Sequence, residues 1–182
     1  MRTALGFFVG ALALIVLAAL PSVPQQIPSP RDVVSPATFV SMDPAGRGSQ
    51  MQIAVVAKIR KGFHINAREK SAEYLIATDL RADVPTGFQA GEVFYPKGEL
   101  QAFSFSKTPL NVYQGTITLK MPVSVLPNAA LGRQHIPLKL RYQACSTEVC
   151  LPPVTLTLDA TVNVADAASA SKPAHPEVFR LK

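Results

Sequence analysis

Alternation of apolar and polar residues with a period of two is the feature that most restricts what this chain can become. From Gln50 to Ile59, Met51, Ile53, Val55, Ala57 and Ile59 fall on one face, with Gln50, Gln52 and Lys58 on the other. His135 to Tyr142 repeats the pattern, placing Ile136, Leu138, Leu140 and Tyr142 together. Val154 to Val164 sets Val154, Leu156 and Leu158 against Thr155, Thr157 and Asp159, and Val112 to Met121 puts Thr116, Thr118 and Lys120 on one side. Each is the signature of a strand with one buried face, because successive side chains point to opposite sides of a sheet. Tyr74 to Leu80 and Phe88 to Tyr95 read as further strands, the second ended by the turn residues Pro96-Lys97-Gly98. Gly62 breaks the first strand ahead of Phe63-His64-Ile65-Asn66. No segment has helical periodicity over a useful length. Roughly seven short strands separated by turn residues predict an all-β sandwich, with an immunoglobulin-like topology as the leading expectation.

The ends read differently. Arg2 precedes an uncharged apolar run from Ala4 to Leu20, after which Pro21, Pro24, Gln25 and Gln26 break the pattern. Residues 1–20 are expected to be a signal peptide, or an uncleaved N-terminal membrane anchor. The segment has no cysteine, so it offers no lipoprotein attachment point. Either way the folded part is expected outside the cytoplasm, in the periplasm or its equivalent, where disulfides form. Residues 21–37 read as a proline-rich linker, residues 38–164 as the sandwich domain, and residues 165–182 as a disordered tail rich in Ala, Ser, Pro and Lys. A span of that size falls within the about 100–150 residues of a common domain and buries a core without covalent help.

Several function classes find no support. The net charge is +6, yet the longest adjacent basic run is Arg60-Lys61, so the basic residues read as solvated surface and not as a nucleic-acid-binding face. There is no G-x-S-x-G, no H-E-x-x-H and no phosphate-binding glycine loop. The histidines are His64, His135 and His175, far apart in sequence, each read as surface or locally hydrogen-bonded. With one close cysteine pair they make a poor zinc set, and no methionine-rich run supports copper. No cofactor or resident metal is expected.

Chemistry concentrates at Cys145 and Cys150, the only two cysteines, within Tyr142-Gln143-Ala144-Cys145-Ser146-Thr147-Glu148-Val149-Cys150-Leu151-Pro152-Pro153. So short a ring restricts the unfolded chain by roughly 2 kcal/mol, about half of what a long-range bridge supplies. As a pure staple the pair is poorly placed. As a dithiol it suits exchange, which needs one accessible sulfur and a second thiol nearby to resolve the mixed disulfide. Pro152 and Pro153 remove backbone donors and stiffen the exit from the loop. Spacing alone leaves a structural staple, a redox pair and a metal-binding pair all open.

The run Tyr142-Gln143-Ala144-Cys145 followed by Val149-Cys150-Leu151-Pro152-Pro153 resembles the signature of the N-terminal extracytoplasmic domain of the thiol:disulfide interchange protein DsbD. Gly62-Phe63-His64-Ile65-Asn66, and the stretch from Phe94-Tyr95-Pro96 to Val112-Tyr113-Gln114-Gly115, are similar to other parts of that domain. The resemblance implies an immunoglobulin-like sandwich whose cysteine pair relays electrons between thioredoxin-like partners. It implies that Cys150 attacks a partner disulfide and that Cys145 resolves the mixed disulfide. It also implies an aromatic cap, for which Phe103 and Phe105 are the candidates, with Tyr142 in the site's surround. The family's best-known members have five residues between the cysteines, against four here. These residues contain neither a multi-helix membrane region nor a C-x-x-C motif, so the reductant is expected to come from another polypeptide. The alternative expectation is a non-enzymatic binding or assembly module with a structural disulfide.

Overall fold

The computed structural model describes residues 27–180; the expected signal or anchor, and residues 21–26 of the expected linker, lie outside them. A short 3-10 turn, Pro30–Asp32, leads into twelve strands: β1 (Val34–Val40), β2 (Ala45–Gly46), β3 (Gln50–Ile59), β4 (His64–Asn66), β5 (Asp79–Ala82), β6 (Phe88–Ala90), β7 (Glu99–Gln101), β8 (Leu110–Tyr113), β9 (Thr116–Val125), β10 (Gly132–Tyr142), β11 (Ala144–Cys145) and β12 (Val154–Ala165). One sheet has the order β1-β3-β9-β6 and a second the order β2-β12-β10-β5. Their inner faces share one core: Ile53 and Val55 from β3, Leu119 and Met121 from β9, Ile136, Leu138 and Leu140 from β10, Ala160 and Val162 from β12. The all-β sandwich expected from the alternation is therefore the observed architecture. A third, smaller sheet, β11-β4-β8-β7, sits at one end and carries the cysteines.

The longest alternating segments form strands almost where expected. Met51, Ile53, Val55, Ala57 and Ile59 are all buried, as are Ile136, Leu138, Leu140 and Tyr142. Other expectations are corrected. Of the proposed Tyr74–Leu80 strand only Asp79 and Leu80 pair with β10, opposite Arg141 and Leu140; the strand runs on to Ala82, and Tyr74 is 74% exposed. The proposed Phe88–Tyr95 strand stops at Ala90, opposite Val123, and contact resumes one residue out of step at Phe94 opposite Lys120. The slip lies beside Pro122, which has no N–H for the ladder. Its carbonyl accepts a hydrogen bond from Gly91 instead. The proposed Val112–Met121 strand divides at Gly115, whose φ of +66° turns the chain from β8 into β9.

Two terminal stretches are more ordered than their composition suggests. β1 begins inside the proline-rich segment; it is an edge strand, where Pro36 sacrifices no interior ladder bond. In the segment read as a disordered tail, Lys172 exchanges backbone hydrogen bonds with Asp43 and Pro44, and the Ala174 N–H donates to the Ser41 carbonyl. The His175 ring packs edge-on against Phe39, with centroids 5.1 Å apart. Backbone pairing along a sheet edge supplies the order that composition does not encode. Among the described residues no helix is long and apolar enough to cross a membrane.

Candidate redox site on the third sheet

Antiparallel pairing of β10 with β12, and of β11 with β4, delivers the cysteines to one place. Tyr142, the last residue of β10, is fully buried, and its hydroxyl donates to the Pro30 carbonyl at 2.8 Å. Burial raises its pKa to about 12, so it stays a neutral donor. Ala144 opposes Ile65 and Cys145 opposes His64. The chain then reverses, and Cys150 opposes Cys145 with the Cα atoms 3.9 Å apart and a disulfide between them. The reversal is held by more than sulfur. The Leu151 N–H donates to the Ala144 carbonyl and the Ser146 N–H to the Val149 carbonyl, both at 2.8 Å. Ser146 Oγ accepts from the Glu148 and Val149 N–H groups.

The two sulfurs have different surroundings. Cys145 is 0% exposed, whereas Cys150 is classed with the exposed residues of the loop. A groove of about 320 Å³ beside the loop is lined by Ser146 to Val149 on one side and by Arg60, Lys61 and Phe63 on the other. Gly62, with φ +85°, makes the turn that places them there. Glu148 is the only charged residue between the cysteines in sequence, and the fold adds Arg60 and Lys61 across the groove. A larger groove of about 760 Å³, lined by Arg68, Asp79, Tyr95 and Lys97 among others, contains neither cysteine.

The parity of the strands sorts the site into two layers. Ile65, Tyr113 and Ala144 join the main core. Their strand neighbours His64, Asn66, Val112 and Cys145 point to the opposite face, because directly opposed residues share a side of a sheet. On that face Leu110 and Val112 of β8 form a second, small cluster with Leu75, and Ala72 and Phe103 pack on it. Phe103 stacks on His64, centroids 4.2 Å apart, and Phe105 stacks on Phe103 at 5.3 Å. The structure thus brings Phe103 onto the residue beside Cys145 and leaves Phe105 outermost, 45% exposed. Tyr142 lies in the main core and serves the site as an anchor of β10.

Residues 71–78, read from the sequence as mostly strand, form this cover, and polar contacts fasten it. Gln143 Oε1 accepts hydrogen bonds from the Ile76 N–H and from Asn66 Nδ2, both at 3.3 Å. Thr78 donates to the Asn66 carbonyl through its N–H and its hydroxyl. Gln143 Nε2 reaches the Leu151 carbonyl at 3.4 Å, so this side chain ties cover, β4 and cysteine hairpin together. Its place in the Tyr-Gln-Ala-Cys run was the only sequence signal for it.

His64 is the least anticipated member of the site. It is 1% exposed, and its Nε2 has no hydrogen-bond partner. Burial lowers its pKa to about 4, so the ring is neutral near pH 7. The other histidines fit the expectation of local bonding: His135 with Asp159 at 2.7 Å and His175 with Glu177 at 3.3 Å. Among the described residues no group of three or more His, Cys, Asp or Glu side chains is arranged to hold a metal.

Comparison with known proteins places this geometry. The family described as thiol:disulfide interchange protein DsbD, N-terminal, matches residues 32–161. Among solved structures, the N-terminal periplasmic domain of ScsB from Proteus mirabilis is similar at 10% identity, over 78% of this chain and 49% of that one, with a TM-score of 0.45. The chain thus spans about half the length of that structure's chain. AggA, the major subunit of aggregative adherence fimbriae type I from Escherichia coli, is similar at 11% identity over 72% of this chain and 95% of that one, with a TM-score of 0.32. Comparison with curated proteins finds no match.

Proposed function

The chain belongs to the family of DsbD N-terminal domains, and on that footing we propose that it is an extracytoplasmic thiol:disulfide exchange domain. Its Cys145–Cys150 pair passes electrons between thioredoxin-like proteins. The observation that carries the reading is the asymmetry of the pair: Cys150 is exposed at the loop and Cys145 is fully buried behind it, within a hairpin that also has backbone bonds of its own. Attack by a bulky protein partner requires one reachable sulfur, and release requires a shielded one within reach of the first.

In the reduced domain, the Cys150 thiolate attacks a sulfur of the partner's disulfide. A Cys150–partner bond forms and the partner's second sulfur leaves as a thiolate, which takes up a proton. Cys145, deprotonated, then attacks the Cys150 sulfur. The Cys145–Cys150 bond forms, the partner's first sulfur leaves with its electron pair, and two electrons have moved from domain to partner. Recharging by a thioredoxin-like donor runs the same steps in reverse. Arg60 and Lys61 across the groove favour the Cys150 thiolate over the thiol, offsetting Glu148. Phe103 and Phe105 cover the buried side until a partner docks. An N-terminal signal or anchor would deliver the domain to the compartment where such partners work.

Single-cysteine variants test the roles. With an oxidised thioredoxin-like protein as probe, Cys145→Ser accumulates a mixed disulfide visible on a non-reducing gel, and Cys150→Ser does not. Equal trapping by both variants would overturn the assignment of roles. Absence of trapping by either would remove the relay and leave a structural disulfide.

A further inference from the structure

His64, Cys145 and Cys150 oppose one another in consecutive backbone pairings, so three side chains stand in a row on one face of the third sheet. Directly opposed residues hold their Cβ atoms about 4.5–5.5 Å apart, which puts an imidazole and a cysteine sulfur within mutual reach. The disulfide occupies the sulfur of Cys145, leaving it no proton to donate. In that state the buried Nε2 of His64 has no partner. A buried polar nitrogen without a hydrogen bond is rare in folded proteins, and it invites the question of when it acquires one.

The geometry points to a state-dependent hydrogen bond: when the pair is reduced, the Cys145 S–H donates to Nε2 of His64, which makes His64 a positioning residue that stabilises the dithiol over the disulfide. This rests on the proposed cycling of the pair between the two states. Reduction by a dithiol breaks the Cys145–Cys150 bond and delivers two electrons. A proton is taken up at Cys145, and that proton fills the gap at Nε2. Nε2 is then the acceptor and the ring's own proton sits on Nδ1. A neutral ring is required for this, and burial keeps it neutral. Asn66 Oδ1 is a second buried acceptor without a partner on the same face, but Asn66 pairs with Val112 and not with a cysteine. The stack of Phe103 on His64 fixes the ring and excludes water that would otherwise serve Nε2. The consequence is a pair whose disulfide is easier to reduce than the bare loop would be. Cys145 is held as the protonated thiol while Cys150 carries the reactive charge.

The test is the reduction potential of the full chain, measured by equilibration with glutathione or dithiothreitol buffers followed by alkylation and mass analysis. His64→Phe preserves an aromatic partner for Phe103 and removes the acceptor. It should lower the equilibrium constant for reduction about tenfold, which is about 30 mV toward more negative values. His64→Gln, which restores an acceptor, should recover part of the shift. A His64 serving only to fill space destabilises both redox states alike, so an unchanged potential in a folded His64→Phe chain overturns the proposal. Should that variant not fold, ¹⁵N-histidine spectra of the unmodified chain decide. The Nε2 signal of His64 should move between oxidised and reduced samples to that of a hydrogen-bonded acceptor, and an unchanged signal overturns the proposal. No partner protein enters these measurements, so they succeed or fail separately from the mixed-disulfide trap.

Discussion

Opening the Cys145–Cys150 bond should leave the domain folded and only slightly less stable. The ring closed by the bridge spans Cys145 to Cys150, a sequence separation of five. Releasing so short a ring returns to the unfolded chain entropy worth about 2 kcal/mol. The folded hairpin keeps its own hydrogen bonds, Leu151 to Ala144 and Ser146 to Val149, and Leu151 keeps its place in the main core. Reduction also supplies a donor to the orphaned Nε2 of His64, which returns about 1 kcal/mol. The net cost is then about 1–2 kcal/mol. For a domain of about 150 residues that lowers the melting temperature by about 2–8 °C. Paired thermal melts followed by circular dichroism, one sample oxidised and one kept in a phosphine reductant, measure the difference. Urea titrations of both forms should give parallel slopes, because the surface exposed on unfolding is nearly the same. A fall of more than about 15 °C, or loss of a cooperative transition, would refute the reasoning and mark the bond as a structural staple.

Acid should destabilise the domain through His64. Its folded pKa of about 4 lies below the unfolded value of 6.5, so the unfolded state binds the extra proton between those limits. The stability is fully present above about pH 6.5 and declines by up to roughly 3 kcal/mol as pH falls to about 4. Urea midpoints measured across that window should show a slope that His64→Phe flattens; equal slopes in both proteins would contradict it. Phe103→Ala removes the stack on His64 and the contact with Phe105, and should cost about 2 kcal/mol. It should also speed alkylation of the reduced cysteines by iodoacetamide, read by mass spectrometry. An unaltered alkylation rate would exclude Phe103 as the cap.

The long strands were legible because each has one face in the main core, and burial on one face is what alternation records. Met51 to Ile59 and Ile136 to Tyr142 meet that condition throughout. Residues 71–78 do not. Their apolar members cover the small sheet, and their backbone is held by Gln143 and Asn66, side chains distant in sequence. No local pattern encodes such a cover. The cysteine pair was legible as a motif, but His64 was not. Alternation in Phe63-His64-Ile65-Asn66 puts Ile65 on the core face and consigns His64 and Asn66 to a polar, solvent-facing side. Both are buried because the segments around Leu75 and Phe103 fold over that side. A histidine and an asparagine on the wrong face of a short strand are informative only once the cover is seen.

The division into two clusters bears on how an enclosed sulfur would take part in the proposed exchange. The backbone row of His64, Cys145 and Cys150 is fixed from below: Ile65, Tyr113 and Ala144 belong to the main core, and Tyr142 is tied to Pro30. From above it is closed by a small cover, Leu75 with Ala72 and Phe103, which rests on Leu110 and Val112 of β8. Segments with few buried apolar contacts open at a small fraction of the global unfolding free energy. The cover can therefore lift while the register that sets the spacing of the cysteines stays intact. Were the cysteines mounted on the two large sheets instead, exposing Cys145 would require parting Leu138 and Leu140 from Val55 and Leu119, and the reacting geometry would be lost with the core. In the exchange proposed above, a small sheet between a large core and a small cap would let one sulfur be hidden at rest and reachable in the complex, without unfolding the domain that aligns the pair.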